Sequence, residues 1–118
     1  MQRFQDLKVW QRSHALALEV HRLTSSFPKS EQFGLTSQIR RAALSIPTNI
    51  AEGSKRRTRP EYARFLNIAE GSTAEVEYLA IFSRDVGYLA KESAVWIIQE
   101  ATEIARMLNA LRTKVERG

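Results

Sequence analysis

Cysteine is absent from this chain of 118 residues. A chain without thiols has no disulfide framework, no thiolate nucleophile and no Cys-ligated metal site. Long hydrophobic runs are also missing, because the longest wholly apolar run spans residues 94–98, far fewer than the roughly 18 that a membrane span needs. The first ten residues lack the apolar core of a secretory signal. We therefore expect a cytoplasmic protein with no membrane partner.

Turn-forming residues are scarce as well, with five glycines and three prolines. Apolar residues recur mostly three and four positions apart, which is the period of the α-helix. This pattern predicts helices over about residues 6–25, 31–54, 60–86 and 92–116, with boundaries accurate to a few residues. Short links between long helices favour antiparallel neighbours. The predicted fold is therefore all-α, with residues 1–118 forming one antiparallel up-down four-helix bundle.

Three of these helices carry an apolar stripe that would face a common core. The stripes comprise Leu35, Ile39, Ala42, Ile46 and Ile50; Phe65, Ala69, Ser72, Val76, Leu79 and Ser83; and Ile97, Ala101, Ile104, Leu108, Leu111 and Val115. Pro47 lies inside the second helix and has no N–H to donate to the carbonyl of Ala43, so a kink is expected there.

Several helices carry apolar residues beyond one stripe. On the first helix, Leu7, Trp10 and Leu18 lie nearly opposite the face that holds Val9, Leu16 and Val20, although a helix in a monomeric bundle needs only one apolar face. We therefore predict a homo-oligomer. The predicted interface residues are Val9, Leu16, Val20, Gly71, Tyr78, Ile81, Phe82, Trp96 and Met107. The alternative is the scatter of exposed hydrophobic residues found on any protein surface.

The hexapeptide NIAEGS occurs twice, at residues 49–54 and 67–72. The flanking residues do not repeat, and a spacing of 18 residues is too short for a helix-pair repeat, which needs about 33. We therefore predict different roles for the two copies. Gly53 is expected to end the second helix as a left-handed cap. Gly71 lies inside the third helix, where it would allow another helix to approach closely.

The positive charge is concentrated in one segment. Residues 40–64 hold seven basic and two acidic residues, an excess equal to the net charge of +5 of the whole chain. Guanidinium and ammonium groups bind phosphate oxygens. The predicted nucleic-acid-binding residues are Arg40, Arg41, Lys55, Arg56, Arg57, Arg59 and Arg64. A solvated surface is one alternative. Self-assembly is another, because residues 70–103 hold seven acids against two bases and could meet a neighbour's basic segment in a head-to-tail ring.

Signals for catalysis or metal binding are lacking. His14 and His21 are too far apart on a helix to ligate one metal easily, and we expect them to be buried or at an interface. The sequence has no HExxH motif, no glycine-rich phosphate loop and no nucleophile elbow. Glu52 and Glu70 could form an acid–base pair, but ion pairs with nearby arginines (Arg40, Arg41 or Arg64) are the better expectation. We expect a protein without catalytic activity, metal or cofactor.

Three segments resemble a known family: DLKVW, GLTSQIRRAALSIPTNIAEGSKR and EYARFLNIAEGSTAEVEY. They are similar to the bacterial four-helix bundle proteins encoded by intervening sequences within 23S ribosomal RNA genes, and the resemblance covers nearly the whole chain. The accessory variability determinant proteins of diversity-generating retroelements are similar too. The resemblance implies a basic homopentameric ring with RNA or DNA as a partner, and a reverse transcriptase for the retroelement relatives. Molecular function in this family is poorly defined.

Two functional hypotheses follow from the sequence. The leading one is a pentameric bundle that binds structured RNA or DNA through its basic segment, with a strong dependence on salt and little on base sequence. The rival is a protein-interaction scaffold whose basic patch docks the acidic surface of a neighbour or of a partner protein.

Overall fold

The computed structural model describes residues 3–118, and residues 1 and 2 lie outside it. Its four α-helices are α1 (Lys8–Leu23), α2 (Leu35–Ser54), α3 (Arg59–Asp85) and α4 (Lys91–Arg117), and residues 3–118 contain no strand. The predicted all-helical class is confirmed, and the helix bounds agree to within a few residues. The largest difference is at α2, because Lys29–Glu31 forms a separate 3-10 turn ahead of it.

The four helices surround one hydrophobic core. α1 packs against α2 and α4, and α3 packs against the same two helices, in an elongated body of 45 × 23 × 20 Å. The predicted α2 stripe is buried along its whole length. The α3 and α4 stripes are buried except for Phe65, Leu111 and Val115, which are half-buried. None of the helices in residues 3–118 is both long and apolar enough to cross a membrane.

The orientation of α1 differs from the sequence prediction. Val9, Leu16 and Val20 are only 5%, 1% and 0% exposed, and they belong to the core of this chain. Their assignment to an oligomer interface is therefore wrong. On the opposite side of α1, Leu18 is exposed, and the half-buried Trp10 stacks on His14 with the ring centroids 5.0 Å apart.

The remaining predicted interface residues lie at the surface of the chain. Tyr78, Phe82, Trp96 and Gly71 are exposed, and Ile81 and Met107 are half-buried. Because the structure is a single chain, the oligomer interface stays a prediction. His14 and His21 are both exposed, so they are not buried in this chain, and their place at an interface stays a prediction.

The two NIAEGS copies have different environments, but neither glycine has its predicted role within residues 3–118. Gly53 lies inside α2 without a positive φ, so the predicted left-handed cap is wrong. A Cβ at Gly53 would lie 2.8 Å from the Cβ of Phe65 and 3.0 Å from Cδ1 of Tyr62. The close approach of two helices therefore occurs here, between α2 and α3. Around Gly71, by contrast, no atom of another helix in residues 3–118 lies within 4 Å of the position that a Cβ would occupy.

Candidate nucleic-acid interface

A short, fixed linker joins α2 to α3. α2 ends at Ser54 and α3 begins at Arg59. Thr58 caps α3: its Oγ1 accepts a hydrogen bond from the backbone N–H of Glu61 at 3.3 Å and donates one to Oε1 of Glu61 at 3.1 Å. Pro60 stands in the first turn, where its missing N–H costs nothing. The cap therefore fixes the point at which the basic linker becomes a helix.

This linker and the start of α3 carry five exposed cations, which we call the basic cluster. Its members are Lys55, Arg56, Arg57, Arg59 and Arg64. None of the five forms an ion pair with a carboxylate of residues 3–118. Their charge is therefore available to an anion from outside the chain.

Aromatic rings support three cations of the basic cluster. The guanidinium groups of Arg56 and Arg64 lie 5.1 and 5.0 Å from the centroid of Phe65. Nζ of Lys55 lies 5.8 Å from the centroid of the Phe4 ring. Cation–π contacts at such distances hold a cation in place without using its hydrogen-bond donors. Nε of Arg56 donates to the backbone carbonyl of Glu52 at 3.3 Å, and the other donors of these side chains can still bind phosphate oxygens.

The carboxyl-terminal part of α4 adds two cations that sequence reasoning missed. Lys114 is exposed beside Arg56 and Arg57, and Arg112 lines an open groove of about 600 Å³ together with Arg59 and Arg64. Both residues are about fifty positions from the linker in sequence, so no local pattern links them to it. From the sequence, only the predicted antiparallel arrangement of the helices could have indicated that Arg112 and Lys114 lie at the same end of the bundle as the linker.

Arg112 is partly neutralised by its own chain. Its Nε donates to Oε1 of Glu70 at 2.6 Å, and its Nη1 donates to Oε1 of Glu116 at 3.2 Å. The hydrogen bond to Glu70 raises the pKa of Arg112. This pair joins α3 to α4. Glu70 therefore pairs with Arg112 and not with the arginines predicted from sequence, and Glu52 forms no ion pair within residues 3–118.

Arg40 is not part of the basic cluster. Its Nε donates to Oγ1 of Thr24 at 2.8 Å, and its Nη2 donates to the backbone carbonyl of His21 at 3.0 Å. Arg40 therefore closes the carboxyl end of α1, where carbonyl groups lack partners and a positive charge is favourable. Its assignment to the nucleic-acid surface is corrected for this reason.

Arg41 is exposed but distant from the basic cluster. It lies fourteen residues before Lys55 in α2, which corresponds to about 21 Å along a helix. Its neighbours at an open depression on the surface include Phe33, Ser45 and Glu75. Arg41 therefore lies apart from the basic cluster, and its contact with nucleic acid stays a prediction.

Within residues 3–118, no group of three or more His, Asp or Glu side chains is placed to hold a metal ion.

Comparison with known proteins places the chain in a family. The model of the 23S rRNA-intervening sequence protein family matches residues 5–110. The chain belongs to this family. Among solved structures, it is similar to the crystal structure of a protein of unknown function from the S23 ribosomal protein family of Bacteroides thetaiotaomicron. The two share 25% identity with a TM-score of 0.79, over 88% of this chain and 97% of the other. No curated protein matches.

The segment that the family model matches includes the basic cluster but not the two cations of α4. The basic cluster, at residues 55–64, lies inside the matched segment. Arg112 and Lys114 lie beyond residue 110. The matched segment thus includes the linker, whereas Arg112 and Lys114 lie outside it.

Proposed function

We propose that this protein binds structured RNA or DNA without catalysing a reaction, and that the basic cluster and Lys114 contact the phosphate backbone. The observation that carries the proposal is the concentration of five exposed cations within residues 55–64, none of them paired with a carboxylate of residues 3–118. Like charges at one end of a small bundle repel each other. A polyanion relieves that repulsion and releases its own counterions on binding.

The composition of the basic cluster suits phosphate in particular. Four of its five members are arginines, whose planar guanidinium groups form paired hydrogen bonds with phosphate oxygens. The family description refers to the intervening sequence of 23S rRNA, and the similar solved structure is assigned to a ribosomal protein family. Neither name states a ligand, but both refer to ribosomal components, so RNA is the partner to test first.

The proposal includes a homopentameric ring of antiparallel up-down bundles in the cytoplasm. Supporting it are the apolar residues left at the surface, among them Tyr78, Phe82 and Trp96, which are 60%, 42% and 39% exposed. Five copies of a weak phosphate site on one ring would bind by avidity without any strong single contact. The link to retroelement proteins and to a reverse transcriptase stays a prediction from the resemblance.

The rival hypothesis, docking of the basic cluster on an acidic surface of a neighbour, has less support. Four of the seven acids in residues 70–103 already pair with arginines of the same chain: Glu70, Asp85, Glu100 and Glu103. The acidic surface is therefore largely neutralised, whereas the basic cluster is not. Docking on a neighbouring copy thus offers the basic cluster fewer open carboxylates, and docking on an acidic partner protein stays the alternative.

The test is a fluorescence anisotropy titration of a labelled ribosomal RNA hairpin at several salt concentrations. A variant with Arg57→Gln and Arg64→Gln loses two unpaired cations of the basic cluster. Its control, Arg22→Gln with Arg106→Gln, loses two arginines that pair with Glu19 and Glu103 elsewhere. We expect the first variant to bind more weakly, with a log–log salt slope shallower by about two, and the control to match the wild type. Equal behaviour of the two variants would contradict the proposal.

A further inference from the structure

Beside the basic cluster, the hydrophobic core opens to solvent in a groove. Its floor is formed by Leu7, Tyr62, Leu111 and Val115, four half-buried side chains that pack on the core from the segment before α1, from α3 and from α4. The groove has a volume of about 440 Å³. This volume falls within the range of roughly 300–1,000 Å³ found for sites that hold small organic groups.

The rim of this groove is cationic. Arg56, Arg57, Arg59 and Lys114 surround the apolar floor, and all four are exposed. No aspartate or glutamate side chain of residues 3–118 lines the groove. The site therefore pairs an apolar interior with several positive charges at its edge.

Tyr62 gives the floor an aromatic surface. Its side chain lies against α2 at Gly53, where a Cβ would be only 3.0 Å from Cδ1 of the ring. Burial raises the pKa of Tyr62, so the phenol is neutral at physiological pH and does not oppose an anionic ligand. The glycine of the first NIAEGS copy thus allows an aromatic ring to line the groove.

We propose that this groove holds the base of one unpaired nucleotide of the bound nucleic acid, while the adjacent phosphates lie on the cationic rim. A nucleotide matches both parts of the groove, because its flat and largely apolar base suits the apolar floor and its anionic phosphate suits the cationic rim. A base inside a duplex is stacked and paired, so only a bulged, looped-out or terminal base can enter. The inference rests on the proposed function and adds a preference for interrupted over continuous duplexes.

Other occupants match the groove less well. A fatty acyl chain fits the floor, but its single carboxylate would neutralise one of four rim cations. A second copy of this groove would bring the same positive rim and repel the first. A nucleotide within a strand supplies several phosphates beside one base, which agrees with both the floor and the rim.

The experiment compares two RNA hairpins that differ only in one bulged 2-aminopurine nucleotide. Wild-type protein is expected to bind the bulged hairpin about tenfold more tightly in anisotropy titrations, because one stacked base contributes about this much. The 2-aminopurine fluorescence is also expected to change on binding, as its stacking partner changes from RNA to Tyr62. This second readout needs no variant.

A groove-filling variant provides the matched test. Val115→Trp places an indole in the groove and leaves every rim cation unchanged. We expect it to bind both hairpins equally, with the salt slope of the wild type. Ala110→Trp adds the same indole at an exposed position of α4 outside the groove, and it should keep the tenfold preference. Circular dichroism melting checks that both variants fold.

The outcomes separate this inference from the proposed function. Equal wild-type affinity for the two hairpins, without a fluorescence change, overturns the groove assignment and leaves the phosphate-binding function in place. No binding of either hairpin at low salt overturns both. A changed particle mass of Val115→Trp in light scattering would make the groove a subunit contact. Binding of decanoate by the wild type but not by Val115→Trp, without a bulge preference, would assign the groove to an acyl chain.

Discussion

At the residue scale, identical sequence does not mean identical environment. Gly53 and Gly71 occupy the same place in two copies of one hexapeptide, and both lie inside helices. Gly53 is buried against α3, whereas Gly71 is exposed. The difference comes from which side of its helix each glycine occupies relative to the neighbouring helix. The hexapeptide itself does not contain that information.

Alanine at each glycine should therefore have opposite effects. Gly53→Ala brings a methyl group within 2.8 Å of the Cβ of Phe65, an atom fixed close to the backbone, and we expect the free energy of unfolding to fall by about 1–2 kcal/mol. Gly71→Ala meets no such obstacle and improves helix propensity, so a rise of about 1 kcal/mol is expected. Urea denaturation of both variants measures these changes.

The Gly71 variant also tests the oligomer. If Gly71→Ala lowers stability, and lowers it more at high protein concentration, a second copy approaches α3 at this residue. That result would contradict the expectation for the isolated chain and support the close approach predicted from sequence.

At the element scale, the amino terminus of α3 links stability to the candidate interface. The Thr58 hydroxyl caps the first turn of α3, because it accepts from the backbone N–H of Glu61 and donates to the Glu61 carboxylate. The cap satisfies one of the backbone donors that the helix leaves without partners, directly beside Arg57 and Arg59 of the basic cluster.

Removal of this cap should weaken α3 specifically. Thr58→Ala is expected to lower the free energy of unfolding by about 1 kcal/mol, and Thr58→Ser, which keeps a hydroxyl acceptor, should stay close to the wild type. Thermal unfolding monitored by circular dichroism distinguishes the two variants. Equal loss in both would mean that the Thr58 methyl group, and not its hydroxyl, stabilises the start of α3.

Most of the element-scale structure could be predicted from the sequence. The helices and the α2 stripe follow from apolar periodicity, because each helix can bury only the side that is apolar. The buried face of α1 could not be predicted in this way, because α1 carries two apolar faces. The spacing of Leu16 and Leu18 within one helix does not reveal which face meets α2. Long-range partners were also missed. Lys114 lies beside the basic cluster because helices that are distant in sequence pack together. Arg40 points toward α1 because it donates hydrogen bonds to residues 21 and 24.

At the scale of the whole molecule, the apolar residues divide into a core and a surface set. Val20 is fully buried among the helices, whereas Tyr78 and Phe82 lie on the outside of α3 with their ring centroids 6.4 Å apart. A small bundle with exposed aromatic pairs of this kind has a surface suited to contact with a partner. In the proposed function, that partner is another copy of the chain.

An aspartate in the surface set should disturb assembly, whereas an aspartate in the core set should disturb folding. Phe82→Asp adds a carboxylate to an exposed position, so we expect a smaller particle in light scattering with unchanged helical circular dichroism. Val20→Asp buries the same carboxylate in the core without a partner, so loss of the helical signal itself is expected. If Phe82→Asp keeps the particle mass of the wild type, α3 does not form the subunit contact at this residue. The apolar surface would then have to meet its partner through the exposed side of α1 and α4, where Leu18 and Trp96 lie.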